Sequence, residues 1–240
     1  MKCDILAIGA HPDDVELGCG GTIIKLISEG KKIGIIDLTQ GELGTRGTIE
    51  TREQEANEAA KLMGISAREN LKLKDGFLNN SEEYQLKIVE KIRKYKPEIV
   101  LANAIDDRHP DHAKAAKLIS DACFISGLRK IETFENGVLQ DVWRPKHIFH
   151  YIQWKNVEPD FVMDITGFMN QKIEACLAYK TQFYNPESNE PVTPIATKDF
   201  LESLTYRAQD LGRLSGVEFA EGFTTEKLIA IKNFEGIVCN

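Results

Sequence analysis

Two short segments of this chain carry the same residue types in the same order. One is His11-Pro12-Asp13-Asp14; the other is Asp106-Asp107-Arg108-His109-Pro110-Asp111-His112. At this length and composition His-Pro-Asp is expected about 0.01 times by chance, so two copies are not noise. Imidazole and carboxylate suit Zn²⁺, and a catalytic zinc takes three protein ligands and leaves a position for water. The candidates are His11, Asp13, Asp14, His109, Asp111 and His112. A hydrolytic site also needs groups free to move protons, so the set should divide between ligation and acid–base work. Adjacent residues in a turn point in different directions, which separates Asp13 from Asp14 without saying which of them is the ligand. Either segment alone could be only a helix start, with Asp capping backbone N–H groups and Pro fixing the entry. Both together, on one edge of a sheet, favour the metal reading.

The elements that must position these residues follow from hydrophobic periodicity. Residues 3–9, 32–39 and 98–103 read as buried strands, and 70–74 as a short one. Residues 20–30, 51–64, 82–95 and 111–127 read as helices, the second opened by a Thr51/Gln54 capping box. The second half is less regular, with strands at 147–153, 161–165 and 227–231, helices at 168–183 and 199–214, and a Pro-containing loop at 185–197. Four βα repeats predict an α/β, Rossmann-like, mostly parallel sheet flanked by helices, in one domain spanning 1–240. Ligands bind such sheets at the carboxyl ends of the strands, which directs attention to the loops after Gly9, Thr39 and Asn103.

Composition bounds the partners. Apolar residues make up 42% and charged residues 28%, enough for a real core. A net charge of −7 argues against a nucleic-acid partner or an anionic membrane surface. No apolar stretch reaches membrane-spanning length and the start shows no signal-peptide pattern, so a cytoplasmic protein is expected. Cys3, Cys19, Cys123, Cys176 and Cys239 are scattered with no C-x-x-C, which predicts reduced thiols and no cysteine-type zinc site.

Ala10-His11-Pro12-Asp13-Asp14-x-Glu16, followed by His109-Pro110-Asp111-His112, resembles the LmbE-like (PIG-L) zinc-dependent N-acetylglucosaminyl deacetylases. The likeness extends through Asp37-Leu38-Thr39-x-Gly41-Glu42-Leu43-Gly44-Thr45-Arg46-Gly47, Arg52, Glu55-Ala56, Tyr206-Arg207-Ala208 and Ala220-Glu221-Gly222-Phe223. These segments are most similar to the bacillithiol branch, which deacetylates N-acetylglucosaminyl-malate. The resemblance implies one Zn²⁺ per chain held by His11, Asp14 and His112, although the same set would accept other divalent metals. It implies Asp13 as general base, His109 as the group that steadies the oxyanion and protonates the amine, and Asp111 as the carboxylate orienting His109. It also implies a homo-oligomer, trimeric or hexameric. The runner-up substrates are N-acetylglucosamine, chitobiose or another N-acetylglucosaminyl conjugate.

Arg52 falls in the first turn of a helix, where a cation is disfavoured unless it holds an anion. Malate carries two carboxylates, which nominates Arg46, Arg52 and Arg108 as substrate-binding cations. Trp143, Trp154, Phe183 and Tyr184 could line a sugar site, though core packing is commoner for such residues. Gly18-Cys19-Gly20-Gly21 lacks G-x-G-x-x-G and reads as close helix packing rather than a dinucleotide loop. His147 and His150 sit on opposite faces of a strand, so neither reads as a ligand. Two rival classes stand beside the deacetylase: a non-haem iron enzyme, since two His and a carboxylate also describe that site, and a non-catalytic sugar-binding protein. The doubly wound pattern and the six intact chemical positions weigh against both.

Overall fold

The computed structural model describes residues 1–231, and through its first half the chain alternates strand and helix. Strands β1 (Ile5–Gly9) and β2 (Ile33–Thr39) are buried at every position, as parallel strands covered on both faces must be. Helices α1 (Asp14–Ser28) and α2 (Ile49–Met63) follow them in turn. Then come β3 (Ala67–Leu73), α3 (Glu82–Tyr95), β4 (Ile99–Ala102) and α4 (Pro110–Ile125). The second half adds a hairpin of β5 (Phe134–Glu135) and β6 (Val138–Leu139), then β7 (His147–Tyr151), β8 (Phe161–Asp164) and α5 (Met169–Leu177). A 3₁₀ turn at Pro194–Ala196, α6 (Lys198–Ser215) and β9 (Ala220–Thr225) complete the described elements.

The main sheet has seven strands in the order β3-β2-β1-β4-β7-β9-β8. The first five run parallel, and β9 runs antiparallel between β7 and β8. Helices α3 and α4 seal one face through Ile88, Ile92, Leu118 and Ile119 against Leu6, Ile8 and Leu38. Helix α1 covers the other through Val15, Cys19 and Ile23. A third apolar cluster joins α2, α5 and α6 around Tyr179 and Phe183. The connections from β1 and from β4 depart to opposite sides, so the carboxyl ends of these two strands open the crevice where ligands bind in such folds. No described helix is long and apolar enough to cross a membrane.

The structure corrects several boundaries. Helix α1 starts at Asp14 rather than Gly20, and it kinks at Cys19 (φ −145°). Its glycines permit close packing: a Cβ on Gly18 would lie 2.1 Å from the Tyr151 ring, and one on Gly21 2.7 Å from Ile165. The capping box of α2 pairs Thr48 with Thr51, not Thr51 with Gln54. Helix α5 ends at Leu177, and the chain then turns to bury Tyr179 and Phe183. Residues 227–231 form no strand, Leu228 being 96% exposed; the closing strand is β9. Its glycine and polar residues disguise it, and its Glu221 is tolerated because Lys172 pairs with it at 2.5 Å. Cys3, Cys19, Cys123 and Cys176 are buried free thiols, while Cys239 lies outside the described residues.

Candidate active site

Both His-Pro-Asp segments lie where the sheet opens, one after β1 and the other between β4 and α4. Asn103 joins them, its Oδ1 accepting the Ala10 N–H at 2.8 Å. Asp13 stands just before α1 with φ 111°, a left-handed conformation that costs a non-glycine residue about 1–3 kcal/mol. Arg52 offsets that cost. Its Nη2 donates to the Pro12 carbonyl at 2.6 Å and lies 3.3 Å from Asp13 Oδ2. At the second segment His109 takes the N-cap place of α4, with Pro110 next and the Asp111 N–H donating to His109 Nδ1 at 3.3 Å.

His11, Asp14 and His112 lie side by side. Asp14 lies between the imidazoles, Oδ2 at 3.5 Å from His11 Nδ1 and Oδ1 at 3.1 Å from His112 Nε2. The rings of His11 and His109 meet edge-on at 4.6 Å between centroids, and those of His109 and His112 stack at 5.1 Å. Behind each of the two flanking histidines is a carboxylate that sequence reading does not nominate. Asp75 Oδ1 is 3.1 Å from His11 Nε2, and Asp107 Oδ2 is 2.6 Å from His112 Nδ1.

The wider His/Asp cluster holds donors close enough together to share a divalent cation. Ligand atoms of His11, His109 and His112 lie within 4.8 Å of one another, as do those of His11, Asp75 and Asp111. Asp111 Oδ1 is buried without a hydrogen-bond partner. Asp13, Asp14, Asp75, Asp107 and Asp111 converge here, and among the described residues only Arg52 and Lys114 are fixed cations at ion-pair distance from them. Two or more imidazoles plus carboxylates, with negative charge in excess, are ligands of the borderline type that Zn²⁺ and its neighbours take.

The charges perturb one another strongly. Burial pushes the Asp13 carboxyl up to about 7 against the pull of Arg52. Burial also opposes ionisation of Asp14, yet the His112 and His11 imidazoles beside it hold it well below the usual carboxylate range. Neighbouring residues of one type are thus driven in opposite directions. Burial and the charges of His11 and His112 lower His109. His112 is raised to about 9, because Asp14 and Asp107 outweigh the burial that opposes its charging.

The remaining candidates separate clearly. The Asp111 carboxylate does not reach His109; its Oδ2 accepts the Gly76 N–H at 2.7 Å and lies 3.6 Å from His11 Nε2. Only its backbone N–H touches His109, so the expected carboxylate–His109 pair is replaced by a main-chain contact. Arg46 is buried outside the cavity wall, its guanidinium held by Glu190 at 3.3 Å and Ser188 at 2.7 Å, so the structure does not bring it to the cavity as expected. Arg52 lines the cavity, though its charge is already matched by Asp13. Arg108 lines it too, its guanidinium 4.5 Å from the centre of the Trp154 ring. Of the four aromatic candidates only Trp154 reaches this cavity, which measures about 230 Å³; Phe200 and Leu204 extend its apolar wall.

Asp75, Gln153 and Arg207, also in the wall, are not recognisable as site residues by type and spacing alone. Asp107 has a visible signal, five positions before His112 in the same loop. Asp75 follows β3, whose mixed polar pattern hides a strand end.

A doubly wound sheet with a His/Asp cluster at its switch point is the arrangement of an α/β enzyme whose site has the donors for a metal. Residues 6–123 match the family PIG-L, described as GlcNAc-PI de-N-acetylase. A diacetylchitobiose deacetylase from Thermococcus kodakarensis is 29% identical over 228 residues, 91% of this chain and 81% of the relative. The Escherichia coli uncharacterized deacetylase YaiS is 34% identical over 125 residues, 50% of this chain and 67% of the relative. The solved structure of the conserved protein TT1542 from Thermus thermophilus superposes with TM-score 0.84 at 34% identity, over 96% of this chain and 98% of that one. The chain belongs to the PIG-L family and is a hydrolytic deacetylase.

Proposed function

We propose that this enzyme removes the N-acetyl group of N-acetylglucosaminyl-malate, giving glucosaminyl-malate and acetate, a step of bacillithiol biosynthesis. The observation that carries the anionic conjugate is Arg108. Its guanidinium lies against Trp154 in the cavity wall and has no carboxylate within ion-pair distance among the described residues. A guanidinium presents a planar fork that matches a carboxylate, so an unmatched fork in a cavity wall favours a substrate that brings negative charge.

His11, Asp14 and His112 would hold the metal, zinc being the ion their chemistry suits best. When bound, such an ion lowers the pKa of water and polarises a carbonyl oxygen. The chain's own groups then divide the proton transfers. Asp13, pinned by Arg52, accepts a proton from the water that adds to the acetyl carbon. The Asp111 N–H occupies His109 Nδ1, so a neutral His109 carries its proton on Nε2, where it donates to the carbonyl oxygen as negative charge develops. The C–N bond breaks as the proton taken up by Asp13 is delivered to the amine nitrogen by way of His109, and acetate leaves. A positioned acid or base of this kind contributes about 10²–10⁴-fold.

A second reading has its own support: the Thermococcus kodakarensis relative is named for diacetylchitobiose. Free amine released from N-acetylglucosaminyl-malate, diacetylchitobiose and N-acetylglucosamine, compared by kcat/KM, separates the two. The malate conjugate is expected to lead. A lead for diacetylchitobiose would transfer the assignment to that substrate.

A further inference from the structure

Asp14 is held by three N–H donors, one from the main chain and two from side-chain amides. Its Oδ2 accepts the His11 N–H at 2.9 Å and Asn103 Nδ2 at 2.9 Å, while its Oδ1 accepts Gln153 Nε2 at 2.7 Å. A carboxylate oxygen offers two in-plane acceptor positions. Oδ2 is therefore filled, and Oδ1 keeps one position, on the side of His112 Nε2 at 3.1 Å.

The two amides cannot be turned around without breaking other bonds. Asn103 Oδ1 accepts the Ala10 N–H at 2.8 Å, which fixes Nδ2 on the Asp14 side. That same Nδ2 donates to Gln153 Oε1 at 3.0 Å, which turns the Gln153 amide so that Nε2 faces Asp14. His150 Nδ1 anchors the Asn103 main chain through its carbonyl at 2.8 Å. Asn103 is 0% and Gln153 6% exposed, so water does not compete for these groups. Ala10 follows β1, Asn103 follows β4 and Gln153 follows β7. The amides thus lace together three strand ends, two of them flanking the switch point.

We propose that Asn103 and Gln153 are positioning residues that clamp Asp14 so that Oδ1 alone is presented to the metal, and that this clamp sets the affinity of the site. The inference rests on the reading of Asp14 as a metal ligand. Groups that orient a ligand from behind typically change metal affinity by about 10–100-fold when removed.

Gln153→Met keeps the length of the side chain and removes both amide functions. Asn103→Leu removes the central amide. Zinc affinity of the stripped full-length chain, measured by competition with a chromophoric chelator, is expected to fall about 10–100-fold in each. The visible absorption of the Co²⁺-loaded protein should change as well, which a loss of stability alone would not produce. Should Asn103→Leu fail to fold, Gln153→Met carries the test, because its side chain bonds only Asp14 and Asn103 among the described residues. A folded Gln153→Met protein with wild-type zinc affinity and an unchanged Co²⁺ spectrum overturns the clamp. A wild-type chain that binds no zinc would instead overturn the metal reading beneath it.

Discussion

Asp13 and Asp14 are adjacent and chemically identical, yet their surroundings give them different work. Asp13 meets a guanidinium in a strained backbone, and Asp14 meets two imidazoles and three N–H donors. The sequence motif identifies both residues as chemical; a turn's divergent directions require different roles; only tertiary neighbours assign them. Arg108 and Arg46 make the same point, since one guanidinium is left in the cavity wall and the other is consumed by the loop at Ser188 and Glu190. Arg108→Ala is expected to raise KM for N-acetylglucosaminyl-malate about tenfold or more, a charged hydrogen bond being worth about 1.5–3 kcal/mol. Turnover of N-acetylglucosamine should stay as it was. Steady-state kinetics on both substrates checks this, and an equal rise for the two would remove Arg108 from contact with the malate group.

Among the elements, legibility follows local signals. Helix α3 is readable to the residue because its apolar positions keep helical spacing and Pro97 stops it. The start of helix α1 is hidden because its glycines look like breakers, and their reason lies far away in sequence at Tyr151 and Ile165. Gly18→Ala pits a helix-propensity gain of about 0.5–1 kcal/mol against a Cβ 2.1 Å from a buried ring. Overpacking of that kind costs about 1–3 kcal/mol, so a net loss of stability is expected in chemical denaturation. A more stable variant would mean that Tyr151 moves aside freely.

A second element-scale prediction concerns β3 and α3. Burial opposes ionisation of Glu69, but hydrogen bonds from Lys91, Lys94 and Tyr95 outweigh it and hold the carboxyl at about 2. An unfolded Glu titrates near about 4.3. The stabilisation is therefore fully present above that pH and fades as pH falls toward 2. Glu69→Gln should lower the midpoint of thermal unfolding at about pH 7, with the gap to wild type closing between about pH 5 and about pH 2. A gap that stays constant through that range would exclude Glu69 from the acid response.

At the scale of the whole molecule, the site exists only because distant segments meet. Segments following β1, β3, β4 and β7 supply Asp14, Asp75, Asp107 and Gln153 to a single cavity. The parallel βα order announces such a cleft from sequence, whereas the contributions of β3 and β7 depend on which strands become neighbours. A metal gripped by several loops binds only the folded chain, so it stabilises by mass action, by about 2.7 kcal/mol at roughly a hundredfold excess over its Kd. Chelation should accordingly lower the unfolding midpoint, and readdition of zinc should restore it; an unchanged midpoint would contradict the convergence of these loops on an ion.

If metal holding and proton transfer reside on adjacent carboxylates, Asp13→Asn separates them: kcat for amine release is measured on protein whose zinc content is determined in the same sample. Wild-type zinc with kcat reduced at least about 100-fold is the predicted result. Wild-type zinc with a near-normal kcat would remove Asp13 from proton transfer.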